Sequence, residues 1–377
     1  MKPRWLHAIP AWARLTGSPL CAIEQAALCR DAFEAVDVVL IQTGPLIERI
    51  QGLALAYEVI PVDFRGLRSG GMRHFMRHIP AAVVSRIRYV AGLCRLMRQR
   101  PGILHVHSRV LCAIYACLAG RLARTPVVLT LHEPPAARWV QARFDAWWIR
   151  WLTDQVVAAS AATAAEHLRY LKNRDIRVVR YCMTALPPDV DYRRTGRPIL
   201  ALIGLTARKR CGDFLVACRL LRERGIDFEA WLVGEWDSPE DRIQAENFLV
   251  RHALDQVVVL KGLVYDMDAL YRSVAAVAVP SEPVEALPRV IMEGMSYGLP
   301  VVAMRVNGVP EMVVAGETGF MIDVGDVAAL ACRLEELLRD PALRERLGRA
   351  ARARAEILFA PERFRSEMLA IYRELAP

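Results

Sequence analysis

The feature that most constrains this chain is an alternation, repeated in both halves, of short apolar runs with longer amphipathic segments. In the first half, strands are predicted at Trp5–Ile9, Val36–Gln42, Ile103–His107, Val127–Leu131 and Gln155–Ala158, with an amphipathic segment such as Ala82–Arg98 between two of them. A polar, proline-bearing stretch, Thr184–Pro198, reads as a linker. Beyond it the pattern resumes, with strands predicted at Ile199–Ile203, Ala230–Val233, Val257–Leu260, Ala275–Val279 and Val301–Ala303, and helices near Asp213–Arg224, Pro288–Tyr297 and Val327–Arg339. Continuous apolar strands separated by helices specify parallel sheets covered on both faces. The expectation is an α/β chain of two doubly wound domains, 1–190 and 191–360, with an amphipathic helix at about 361–377 that packs back on the first. Two such domains facing each other would place a ligand cleft at the carboxyl ends of their strands.

Length agrees, because 377 residues exceed what one core ordinarily serves. A hydrophobic content of 54% with 24% charged residues belongs to a globular chain, not a disordered one. No apolar run approaches the roughly 20 residues that span a bilayer; Val110–Gly120 reads as a buried helix, and the first residues lack a signal-peptide pattern. Nine scattered cysteines without a C-x-x-C pair fit buried thiols in a reducing cytoplasm.

Charge is uneven. Residues 1–190 carry 25 Lys/Arg against 13 Asp/Glu, whereas residues 191–377 carry 25 against 28. No acid lies between Asp63 and Glu133, an interval holding twelve arginines: Arg65, Arg68, Arg73, Arg77, Arg86, Arg88, Arg95, Arg98, Arg100, Arg109, Arg121 and Arg124. One reading is peripheral docking on an anionic membrane. Another is a plain preference for arginine, since the chain has four lysines. Nucleic acid is disfavoured, as no binding motif or stacking-aromatic pattern accompanies the charge. Trp139, Trp147, Trp148 and Trp151 cluster with Arg138, Arg143 and Arg150; helical core packing and insertion into a membrane interface are both open.

The densest chemical signal is Val279–Glu311. A strand runs into a loop, and Pro288 suits the first position of the helix that follows. First-turn amides, including those of Arg289 and Val290, and the helix dipole suit a phosphate. Glu285 lies just before this anion site. Glu293, about 7.5 Å further along the axis, leans back towards it. Carboxylates accept hydrogen bonds from paired sugar hydroxyls. Gly294 permits close packing. A second cluster, Arg208-Lys209-Arg210, crowds the start of a helix where the dipole is already positive, so a diphosphate would relieve the repulsion.

These residues resemble the Glu-x7-Glu signature of retaining glycosyltransferases of family four, which have the GT-B fold of two Rossmann-like domains. The runs Gly298–Ala303 and Asn307–Glu311 resemble that family too. The resemblance implies that Glu285 contacts the transferred sugar, Glu293 binds ribose, and the Ala286–Arg289 loop, Leu287 included, offers backbone donors. Lys209 resembles the family's phosphate-binding lysine. The arginine that usually follows the strand's glycine is absent near Gly204, leaving Arg208 or Arg210 to substitute. Trp231–Gly234 and Val259–Val264 resemble strand-glycine turns, the second holding the base near Leu263. In the first half, His105, His107 and Ser108 resemble one histidine-bearing strand end and His132 another. Of these His132 is placed against the sugar, and His105 and His107 are read as structural. Gly17-Ser18 stands for a glycine-rich turn, and Tyr181-Cys182-Met183-Thr184 replaces the family's Asn-Gly-x-Asp.

The implied catalytic set is therefore Glu285, His132 and Lys209. The donor-binding set is Arg208, Lys209, Leu263, Glu285, Leu287, Arg289, Val290 and Glu293. Two Asp-x-Asp triplets, Asp189–Asp191 and Asp266–Asp268, read as a linker and a helix start, so no metal or other cofactor is expected. The expected partners are a nucleoside-diphosphate-sugar donor and a glycan or lipid-linked acceptor, the latter met at the inner face of the cytoplasmic membrane. The rivals are a nucleotide-sugar epimerase of the same fold and a non-catalytic subunit that keeps it. A nicotinamide dehydrogenase is disfavoured because no G-x-G-x-x-G follows a strand.

Overall fold

The computed structural model describes residues 5–10, 17–62, 72–107, 110–192, 194 and 196–375, without the side chains of 72–81 and 110–112. Arg65, Arg68, Ser108 and Arg109 lie outside the described residues, as do the side chains of Arg73, Arg77 and Cys112. The chain divides into one unit of residues 1–184 with 361–377 and another of residues 185–360.

The first unit contains β1 (Trp5–Pro10), α1 (Gly17–Cys29), β2 (Ala35–Leu40), α2 (Leu46–Gly52), β3 (Ala56–Val59), α3 (Met72–Gln99) and β4 (Gly102–His107). It continues with α4 (Val110–Ala123), β5 (Val127–Leu131), α5 (Trp139–Leu152), β6 (Gln155–Ala158), α6 (Ala161–Leu168) and β7 (Ile176–Val178). All its strand pairs are parallel, in the order β3-β2-β1-β4-β5-β6-β7. β3 and β7 carry no fully apolar run, which is why the sequence pattern passes over them. One core cluster joins α1 and α2 to the sheet, and a second joins it to α3, α4 and α5. α5 is split across its width. Trp148 is buried, whereas Trp139, Trp147 and Trp151 are exposed, so core packing accounts for one tryptophan of the four.

The second unit contains β8 (Ile199–Leu205), α7 (Cys211–Glu223), β9 (Glu229–Trp236), α8 (Pro239–Arg251), β10 (Val258–Gly262), α9 (Met267–Ser273) and β11 (Ala276–Val279). Then follow α10 (Arg289–Ser296), β12 (Val301–Met304), α11 (Val309–Met312), β13 (Gly319–Ile322), α12 (Val327–Arg339) and α13 (Pro341–Leu358). Its strands are also all parallel, ordered β10-β9-β8-β11-β12-β13. Side-chain caps start several helices: Ser238 accepts from the Asp241 amide ahead of Pro239, and Asp340 accepts from the Leu343 amide. α13 is rich in arginine and alanine, so its apolar face is thin. Leu347, Ala351 and Ala355, spaced four apart, are buried.

The last helix, α14 (Pro361–Leu375), belongs to the first unit. Its Phe364, Met368, Leu369, Ile371 and Tyr372 enter the core shared with α1 and α2. Each such side chain contributes about 1.5–3 kcal/mol by burial. Arg363 adds a hydrogen bond to the carbonyl of Arg180 (2.7 Å), and Arg365 one to that of Leu28 (3.1 Å).

Candidate functional site

In the second unit the strand order reverses between β8 and β11, and a ligand crevice forms outside the carboxyl ends of strands at such a point. Lys209 follows β8 and Glu285 follows β11, so the two adjacent strands release their loops side by side. The loops are tied by main chain, with the Glu282 amide donating to the Arg208 carbonyl (2.9 Å). Lys209 Nζ then meets Glu285 Oε2 at 2.8 Å, both side chains being largely sheltered at 14% and 22% exposure. Arg210 sits in the left-handed region (φ 47°) at the start of α7 and donates to Asp213 Oδ2 (2.7 Å). The cationic crowding predicted at this helix end is thus relieved by two carboxylates.

The turn before Lys209 depends on glycine. Gly204 has φ +89° and lies against the Lys209 stem, where a Cβ would come within 3.7 Å of Cγ and Cε. Gly234, two residues before the end of β9 and with φ +128°, would bring a Cβ within 3.3 Å of Gly204 Cα. Two main chains approach here without side chains between them.

α10 starts one residue later than the pattern suggests. Pro288 has ψ 116° and stands before the helix, its carbonyl accepting from the Ile291 amide (3.0 Å). Its ring removes a donor at a place where none is required, so the helix begins at Arg289. Arg289 and Val290 are the first two residues of α10, so their amides lie at the positive end of its dipole. Leu287 is buried, so only its main chain can face a ligand; Val290 is half-buried and Leu263 is exposed. Glu293 is sheltered and engaged at both oxygens: Arg289 Nε donates to Oε1 (2.5 Å) and Tyr271 to Oε2 (2.7 Å). Burial and the Glu293 charge push the Tyr271 phenol well above its ordinary range. Gly294 lets α10 settle on Val277 of β11, where a Cβ would meet Cγ2 at 3.2 Å.

The carboxylates of the Asp266–Asp268 triplet have local roles. Asp266 accepts from the Ala269 amide (3.0 Å) at the start of α9. Asp268 accepts from Arg272 (2.7 Å) and Tyr297 (2.8 Å), and Arg272 reaches the Asp189 carbonyl (2.9 Å). Among the described residues no group of three His, Cys, Asp or Glu is placed to hold a metal ion.

The first unit gathers three histidines at the ends of β4 and β5. His105 is held by the Tyr372 hydroxyl at Nδ1 and the Thr130 hydroxyl at Nε2, each at 2.7 Å. His107 Nδ1 meets His132 Nε2 at 3.3 Å, and His132 Nδ1 meets the Tyr181 hydroxyl. Burial lowers all three: His105 to about 3, His132 to about 4, and His107 well below its usual value, with the neighbouring imidazoles adding to the effect on His105 and His107. Both nitrogens of His132 are therefore occupied. A sugar hydroxyl can reach a ring nitrogen only by displacing Tyr181 or His107.

Comparison with known proteins bears on what this arrangement serves. One family model, Glycosyltransferase Family 4, matches residues 36–181, and a second, Glycosyl transferases group 1, matches residues 197–340. The chain is a group 1 glycosyltransferase of family four. This glycosyltransferase is 27% identical over 301 residues to N-acetyl-alpha-D-glucosaminyl L-malate synthase of Bacillus anthracis, covering 74% of this chain and 76% of that protein. It is 26% identical over 330 residues to sulfoquinovosyl transferase SQD2 of Arabidopsis thaliana, covering 80% of this chain and 62% of that protein. Its GT-B fold matches that of Anabaena HepE in complex with UDP-glucose, with a TM-score of 0.82 at 18% identity over 99% of this chain and 100% of that one.

Two features of the glycosyltransferase escaped sequence reasoning. Tyr271 has no spacing relation to the glutamate pair, and only the packing of α9 brings it to Glu293. Tyr181 gave a signal of a kind, since it opens the segment where the family's Asn-Gly-x-Asp is replaced. Its bond to His132 needed the fold.

The histidine cluster has a measurable consequence. These imidazoles are neutral in the folded enzyme but take up protons below about pH 6.5 once unfolded. The unfolded chain then binds more protons, so stability falls as pH drops from about 6.5 towards 4. The expected loss between pH 7 and pH 5 is on the order of 5 °C in Tm. A Tm that stays flat over this interval in scanning calorimetry would contradict the neutral assignment.

Proposed function

We propose that the enzyme transfers a sugar, with retention, from a nucleoside-diphosphate sugar to a hydroxyl of a lipid-linked or cell-surface glycan precursor at the membrane face. The observation that carries this reading is the Lys209–Glu285 pair at the switch point of the second unit. In the proposed reaction the bond between the anomeric carbon and the phosphate oxygen breaks as the acceptor oxygen bonds to the same face. The acceptor's proton passes to the departing diphosphate. Lys209 and the α10 amides of Arg289 and Val290 stabilise the charge that builds on that leaving group. Glu285 orients the transferred sugar, and Glu293, already oriented by Arg289 and Tyr271, takes the ribose hydroxyls. Arg208 and the main chain at Leu263 and Leu287 complete the donor set, and His132 is assigned to the transferred sugar. Charge stabilisation is assigned to protein groups, so turnover is expected to survive EDTA.

UDP-glucose bound to HepE makes uridine donors the first to test. In a thermal-shift screen with UDP, GDP, ADP and their sugars, one series should raise Tm, because a ligand that binds only the folded state stabilises it. No shift with any of them would remove the donor assignment. Conversion of the donor sugar without an acceptor would show an epimerase instead. Glu293→Ala is expected to raise the donor KM by about 10–100-fold with a smaller change in kcat, the cost of a charge-assisted hydrogen bond to the ribose. An unchanged KM would move the ribose elsewhere.

A further inference from the structure

The outer face of α5 departs from ordinary burial by exposing several large apolar side chains together. Trp139, Val140, Phe144, Trp147 and Trp151 are 61%, 71%, 46%, 60% and 62% exposed. Residues 140, 144, 147 and 151 follow the helical repeat, so they form one continuous stripe about 18 Å long on the 14-residue helix. Arg138 and Arg143 flank it, the latter stacked over the Trp139 ring at 4.7 Å. Arg150 lies on the same edge as Arg143 and is anchored to the Lys172 carbonyl (2.7 Å). The one acid of α5, Asp145, is buried and accepts from Gln141 (2.9 Å) and Trp148 (3.3 Å), so the outer face carries no negative charge.

α4 packs between α5 and α3. Neither α3 nor α4 contains an acid, and α3 exposes Val83, Val84, Ile87 and Arg88. We infer that the α5 aromatic stripe, with its arginines, is a docking surface for an anionic lipid bilayer. The helix lies flat with its rings in the headgroup layer and its guanidiniums on the lipid phosphates. This rests on the membrane-face acceptor proposed above and assigns the element that meets the membrane. Three arguments favour a bilayer over a protein. Tryptophan and arginine together suit a boundary that is apolar on one side and wet and anionic on the other. A protein partner would have to bury these arginines against its own acids. A second copy through the same face would set arginine against arginine under two-fold symmetry. No helix among the described residues is long and apolar enough to cross a membrane, so this surface would lie on the bilayer and not span it.

The test is flotation of the full chain with vesicles of phosphatidylcholine alone or mixed with phosphatidylglycerol. Binding is expected to the mixed vesicles only, with a blue shift of tryptophan emission. Binding should weaken as salt rises from about 0.1 M to 1 M, which shortens the Debye length from about 10 to 3 Å. Trp147→Ala/Trp151→Ala should lower vesicle affinity at least about tenfold, and Arg138→Gln/Arg143→Gln should act on anionic vesicles alone. Because these side chains are exposed, Tm and nucleotide binding should stay at wild-type values, while Glu285→Gln should lose turnover and still float. Failure of the wild type to bind at low salt would overturn the proposal without touching the donor site. So would a concentration-dependent dimer that the tryptophan variants dissolve.

Discussion

Lys209→Ala is expected to lower kcat by about 10²–10³-fold, the usual cost of removing one preorganised group from a site of developing charge. Two effects combine. The leaving diphosphate loses its cation, and Glu285 loses the partner that neutralises it at 2.8 Å. Because both groups are sheltered, the unpaired carboxylate then opposes an incoming anion more strongly than a surface acid would. Single-turnover measurements at saturating donor separate the chemical step from binding. A kcat within about threefold of wild type would remove Lys209 from the reaction.

The second large effect concerns Glu285. Glu285→Gln is expected to cut kcat by about 10²-fold or more, through loss of the charged acceptor that holds the sugar at the reacting carbon. Its effect on nucleoside-diphosphate affinity should depend on Lys209. In the Lys209→Ala background, removing the orphaned charge should restore affinity for UDP by about tenfold, so the double variant binds better than the lysine variant alone. Titration calorimetry over the four-member cycle reads this directly. Strictly additive affinities would mean that the pair seen in the ligand-free chain does not persist at the donor site.

Much of the fold was legible because parallel strands are buried on both faces and show as apolar runs. Most strands of both sheets lie within a residue or two of where those runs place them. β3 was not legible because its side chains are largely uncovered, β7 because it is three half-buried residues around Arg177, and α13 because arginine obscures its apolar face. At the site, Glu285, Glu293 and Lys209 stood out by spacing and local charge. Their partners did not, since Tyr271 lies 22 residues from Glu293 and Lys209 lies 76 from Glu285.

What the chain's order of residues determined by itself was the alternation of strands and helices, the glycines near the ends of β8 and β9, and the residue types at the switch point. These follow from local preferences that any sheet of this kind would express. Tertiary structure alone decided which strands are neighbours, and so that Lys209 meets Glu285, that Tyr181 and His107 occupy both nitrogens of His132, and that α14 returns to the first unit. It also decided that of four tryptophans on one helix, one is buried and three face outward. Helical spacing gives a side chain its angle around the axis, but only packing determines which angle meets solvent.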